Sequence, residues 1–149
     1  MTLRYTLTSA ICAAALAILS GCSSSDNKGT TTGGGSAAQG TVNGCVEAQA
    51  QDMTGKATVD LTAVRPWAIP HQLCLKVSAG TEVSWNGNFG SHPLAGGTPS
   101  AKDNASPITS AAKTVVGMGT VKVKLDKVGD FPYYCTIHLG SMQGVVYVR

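Results

Sequence analysis

Beyond residue 19 the sequence contains no apolar run long enough to cross a bilayer, which takes about 20 residues as a helix. It contains no basic run and no stripe of interleaved basic and aromatic side chains, and its formal charge is only +3. That balance argues against a nucleic-acid partner, and none is expected. No segment carries a convincing amphipathic helical period, although residues 49–56 have room for one helical turn. No internal repeat is present, which sets repeat architectures aside. What remains is a chain of single-domain size whose apolar residues follow a strand pattern.

The N-terminus differs from the rest. Arg4 precedes a short apolar stretch over residues 11–19, which ends in Leu19-Ser20-Gly21-Cys22. This reads as a secretory signal peptide over residues 1–21, too short for a mature membrane span. Its end resembles the lipobox of bacterial lipoproteins, which implies cleavage before Cys22 and a lipid on its sulfur. The same resemblance implies an extracytoplasmic protein held to a membrane by that lipid, on the periplasmic face of the outer membrane or at the cell surface. Ser23 after the cysteine points to the outer membrane if the host is Gram-negative. Residues 22–42 are rich in Ser, Thr and Gly and cannot bury a core, so they are expected to act as a flexible tether. The folded domain is expected over residues 43–149.

The chain has five cysteines. Cys12 would leave with the signal, and Cys22 would carry lipid. In an oxidising compartment Cys45 and Cys74 are then expected to form a disulfide, with Cys135 left over. An unpaired cysteine in an exported protein is a reactive liability or a metal ligand.

From residue 43 onward the pattern is one of short strands. Residues 57–64 alternate, with Val59, Leu61 and Ala63 on one face. Further strands are expected at 73–77, 81–85, 114–116, 120–125, 131–135 and 144–148, with turns at 78–80 and 127–130. The segment 89–110 is mostly Gly, Pro, Ser and Asn and reads as a long loop. Together these predict an all-β, antiparallel sandwich. Within strand 131–135, Phe131, Tyr133 and Cys135 should face inward and Tyr134 outward.

The chemistry concentrates near the C-terminus. Cys135, His138 and Met142 follow one another at short intervals, and His92 lies upstream before Pro93. One thiol, two imidazoles and a thioether form the donor set of a blue-copper electron-transfer site. With Gly129, Phe131, Tyr133, Tyr134 and Gly144 around them, these residues resemble the cupredoxins, especially the plastocyanin-like branch. The resemblance runs from about Val59 to Arg149 and leaves residues 43–56 unmatched. It implies a Greek-key sandwich holding one copper ion through His92, Cys135 and His138, with Met142 as a long axial ligand. It further implies a monomeric one-electron carrier with transient redox partners. They would dock on apolar residues such as Leu94 and Leu139 around His138. Tyr134, facing outward beside Cys135, reads either as a remote route for the electron or as an ordinary strand aromatic. Four protein ligands leave no open position for substrate, so no enzymatic activity is expected. A copper-binding or copper-delivery protein without redox turnover is the alternative. With three histidines in the chain, too few remain for a second site.

Two departures from that branch bear on the site. Pro93 follows the first histidine, where relatives have an Asn whose N–H donates to the thiolate, and proline has none to give. Ile137 stands where relatives have a proline, so its N–H is expected to donate to the sulfur instead. Phe131 replaces a tyrosine whose hydroxyl bond should be missing. His71 reads as a surface or structural residue, Met118 as a core filler, and Trp67 and Trp85 as core or edge aromatics. Lys122, Lys124 and Lys127 mark a solvated face and its turn.

Overall fold

The computed structural model describes residues 41–64, Trp67 and 71–149. The signal peptide, Cys22 and nearly all of the tether lie outside the described residues. The strands are β1 (Gln51–Asp52), β2 (Thr58–Asp60), β3 (His71–Val77), β4 (Thr81–Asn88), β5 (Leu94–Thr98), β6 (Ala101–Lys102), β7 (Met118–Leu125), β8 (Gly129–Cys135) and β9 (Met142–Val148). Two short helices are α1 (Leu61–Val64) and α2 (Pro107–Ala112). One sheet has the order β1-β3-β9-β8-β5-β6 and the other β2-β4-β7.

The all-β sandwich matches the expectation, but its sheets are mixed. β3 runs parallel to β9, β1 to β3 and β2 to β4, whereas β4–β7, β5–β8 and β8–β9 are antiparallel. The cause is connectivity. From β1 to β5 successive strands alternate between the sheets, so neighbours within a sheet are seldom joined by a hairpin that would force them antiparallel.

Alternation makes the core. In β7, Val121, Val123 and Leu125 are buried while Thr120, Lys122 and Lys124 face solvent, and in β4 Thr81, Val83 and Trp85 point inward. Facing them are Leu75 and Val77 of β3, Leu94 of β5, Tyr133 and Cys135 of β8, and Met142, Val146 and Val148 of β9. Every residue of β9 is buried, which one core face cannot explain. The other face of its sheet is covered by the chain just after residue 41. There Cys45 and Cys74 form the expected disulfide and pack with Val145, Tyr147 and Ala50.

Local chemistry explains where the strand pattern misleads. Residues 57–64 are not one strand, because the Asp60 carboxylate accepts the Thr62 N–H at 2.8 Å and starts α1. The segment 89–110 is not one loop. It holds β5, β6 and the start of α2, which Ser106 caps by accepting the Ile108 N–H at 3.3 Å with Pro107 in the first turn. Gly96 lets α2 close on β5, donating its N–H to Thr109 Oγ1 at 2.8 Å. Residues 114–116 are the turn after α2 rather than a strand, with the Thr114 hydroxyl donating to the Ala111 carbonyl. The expected helical turn comes slightly early, as a 3-10 turn at Glu47–Gln49.

Candidate metal centre

Cys135 is the last residue of β8, and alternation along that strand turns it inward with Tyr133. His138 sits in the connection to β9, where its carbonyl accepts the Ser141 and Met142 N–H groups, both at 3.2 Å. Gly140 follows with φ +80°, a left-handed turn that glycine adopts without strain. His92 belongs to the β4–β5 connection. Asn88 shapes that turn, its carbonyl accepting the His92 N–H at 2.9 Å and its side chain accepting the Gly90 N–H at 3.0 Å. The Pro93 carbonyl accepts the Thr136 N–H at 2.9 Å, so the two ligand loops are tied together. Leu94 is directly opposite Cys135 in the β5–β8 register.

These constraints bring His92, Cys135 and His138 to one point, with a donor atom of each within 4.8 Å of the others. The two histidine Nδ1 atoms are 3.2 Å apart, and Cys135 Sγ is 3.5 Å from His138 Nδ1. The rings stack with centroids 4.8 Å apart. Three donors at bond lengths of about 2.0–2.3 Å from a shared centre stand about 3.5–4 Å apart in a trigonal plane. The cluster therefore fits one small ion, and a soft thiolate with two imidazoles is a donor set suited to copper. The thiol is fully buried and the imidazoles partly so. Met142 is fully buried on the inner face of β9, just after the loop that carries His138.

Several expectations about the surroundings do not hold. Tyr134 lies on the face of β8 opposite Cys135, but it is 5% exposed. That face is covered rather than solvated: Asn43 lies across it, its amide donating to the carbonyls of Gly97, Tyr133 and Gly144. A surface route for the electron through Tyr134 is thus removed. Leu94 is 6% exposed and belongs to the core, so it cannot form part of a docking patch, whereas Leu139 is exposed as expected. Ile137 makes no hydrogen bond to the sulfur. Among the described residues the only hydrogen-bond contact of Cys135 Sγ is with His138 Nδ1. The Thr136 N–H is instead turned away toward Pro93. Met118 is 74% exposed rather than a core filler, because it opens β7 at the open end of the sandwich. The side chain of His71 lies outside the described ones.

Sequence reasoning missed two things here. One is the apolar end of the molecule. Ile137 and Leu139, in the connection that carries His138, and Val116 and Met118, at the start of β7, are large exposed hydrophobics. The Val116–Met118 turn reaches the His92 loop through the Phe89 N–H, which donates to the Gly117 carbonyl at 2.8 Å. Residues 83–101, 114–121 and 131–148 contain no Asp, Glu, Lys or Arg, and that uncharged composition was legible in the sequence. The other is the segment around Asn43. Asn43 and Gly44 both take positive φ and return the chain so that the Cys45 N–H donates to the Val42 carbonyl at 2.8 Å. An Asn-Gly pair is a strong tight-turn signal.

The charges lie elsewhere. Arg149 pairs with both Glu47 and Asp130, its hydrogen bond to Glu47 lowering that carboxyl below its ordinary range and raising its own pKa. Lys76 and the Thr54 donors hold Asp52 well below the usual carboxylate range. Burial raises the Tyr133 phenol, whose hydroxyl donates to the Leu73 carbonyl at 3.2 Å.

No family model and no curated protein matches the chain. Among solved structures it is similar to oxidised plastocyanin from Dryopteris crassirhizoma, with 25% identity and a TM-score of 0.35 over 51% of this chain and 83% of that one. It is also similar to a reduced amicyanin variant, with 16% identity and a TM-score of 0.34 over 73% of this chain and 90% of that one.

Proposed function

We propose that this chain is a type 1 copper protein that carries single electrons between extracytoplasmic redox partners. The observation that carries the reading is the convergence of His92, Cys135 and His138 at the end of a β-sandwich. The resemblance of the ligand loop to the cupredoxins points the same way. Copper would supply a centre that cycles between two oxidation states.

The chain's own residues do the rest. Cys135 would present a thiolate to copper, His92 and His138 imidazole nitrogens, and Met142 would be the fourth ligand. Anchoring of both loops by backbone hydrogen bonds would keep the donors in place whichever oxidation state the ion held. Burial of Cys135 excludes water and favours retention of the ion over its delivery to another protein. The partly exposed imidazoles are the way in and out for the electron, and the apolar end bearing Ile137 and Leu139 is the docking surface. Attachment to a membrane through lipidated Cys22 completes the proposal. The Cys45–Cys74 disulfide supports an oxidising compartment.

The test is Cu(II) titration of the full chain beside Cys135→Ala, followed by visible absorption and EPR. An intense thiolate-to-copper band with narrow hyperfine splitting, at one copper per chain, is expected and should vanish in the variant. A weak band that survives Cys135→Ala would overturn the reading.

A further inference from the structure

Trp67 lies far from the ligand motif in sequence, yet it touches both the loop that carries His92 and the strand that carries Cys135. Its indole Nε1–H donates to the carbonyl of His92 at 2.7 Å. Its ring packs against Tyr133 with centroids 6.0 Å apart, and Tyr133 is two residues before Cys135 on the same inward face of β8. The indole is 1% exposed. Its seat depends on Gly87 of β4, where a Cβ would stand 3.1 Å from Trp67 Cβ, tighter than ordinary packing allows. A merely space-filling aromatic needs no such hydrogen bond to a ligand's own backbone.

The loop around His92 shows why the bond matters. Asn88 organises the residues before the histidine, accepting the N–H groups of Gly90, Ser91 and His92. After the histidine comes Pro93, which has no N–H with which to hold the chain. The His92 carbonyl is the remaining backbone handle at the ligand itself, and Trp67 holds it. A buried indole is rigid, so a hydrogen bond from it restricts the loop more than one from a flexible surface donor would.

We infer that Trp67 is a positioning residue that sets His92 against Cys135 and His138. The inference rests on the copper reading for its consequence, but the positioning itself is a property of the metal-free chain. Trp67→Phe keeps an aromatic ring in the core and removes the N–H. Trp85→Phe is the control, because Trp85 packs on Tyr133 from another side, with centroids 5.3 Å apart, and lies outside the His92 loop.

The first readout is amide hydrogen exchange in the metal-free full chain. Trp67→Phe should speed exchange at the His92 N–H about tenfold, the loss of one net hydrogen bond, and Trp85→Phe should not. The second is the copper-loaded protein, in which Trp67→Phe should weaken copper binding by about tenfold and change the EPR hyperfine splitting. Gly87→Ala, which displaces the indole without changing it, should shift both readouts in the same direction, and it serves should Trp67→Phe fail to fold. Equal exchange at His92 in wild type and in Trp67→Phe or Gly87→Ala, or an equal change in Trp85→Phe, would overturn the inference. If the wild type gives no thiolate band, the copper reading fails, and the exchange measurement still decides the role of Trp67.

Discussion

Gly144 shows how a single residue can be fixed by its neighbours' backbones. It pairs with Leu73 on one side and Tyr133 on the other, and the Tyr133 side chain crosses over it to reach the Leu73 carbonyl. A Cβ at this position would collide with that carbonyl and lie 2.6 Å from the Tyr133 hydroxyl. Neither the strand backbone nor the buried phenol can retreat cheaply, so Gly144→Ala should lower stability by about 1–3 kcal/mol. Denaturant unfolding checks this, and an unchanged midpoint would contradict it. Glu47 gives a pH-dependent case. The hydrogen bond from Arg149 lowers its carboxyl below the ordinary 4.5, so the ion pair stabilises the fold fully above that value. The contribution disappears as pH falls through the lower, folded value. Glu47→Gln should therefore be less stable than wild type at neutral pH, and thermal melts of the two should converge as pH falls through that lowered value.

At the scale of elements, the segment from Val42 to Asp52 is an added layer rather than a disordered lead-in. It covers the outer face of the larger sheet with Asn43 and Cys45, extends the edge of that sheet as β1, and is clamped by Arg149 at Glu47. The Cys45–Cys74 bond joins it to β3 across a sequence separation of 29. On the chain-entropy account, removing that link with Cys45→Ser and Cys74→Ser should cost about 3–4 kcal/mol. The backbone amides of Tyr134 and Gln143, both buried on the covered sheet, should then exchange as exposed residues before global unfolding. Retained protection at these positions would mean that the segment holds without its disulfide.

At the scale of the whole molecule, most large exposed hydrophobics among the described residues lie on other segments than the paired ions, Val128 near Asp126 being the exception. Paired ions occupy the strand faces and the ends remote from the ligand loops, as with Lys122–Glu82 and Lys124–Asp126. Among the described residues, the stretches 83–101, 114–121 and 131–148, which hold His92 and His138, carry no Asp, Glu, Lys or Arg and expose Val116, Met118, Ile137 and Leu139. Encounters through these stretches should gain little from electrostatic steering. Electron self-exchange between copper-loaded molecules, measured by NMR line broadening, should thus vary little with salt. Leu139→Glu would place like charges at every encounter and should slow self-exchange about tenfold or more at low salt, with partial recovery at high salt. A wild-type rate in Leu139→Glu would move the docking surface elsewhere.

Period-two alternation made strands such as β4 and β7 legible, because one buried face imposes it along them. The spacing of Cys135, His138 and Met142 was legible because one short connection and the two residues that bound it carry them, and the Cys45–Cys74 pair because the readings of Cys12, Cys22 and Cys135 left these two to each other. Other features depend on contacts that no local pattern records. Parallel pairing of β3 with β9 follows from crossings between sheets. The burial of Tyr134 and of all of β9 follows from a segment that returns across the sheet and is held by Asn43. The exposure of Met118 and the burial of Leu94 depend on which end of a strand meets solvent, and the bond from Trp67 to His92 joins residues that only packing brings together. Sequence thus determined the donor chemistry and the strand periods, which are local properties. Tertiary structure alone decided which faces were covered and how the ligands are held, because burial and distance belong to the assembled layers.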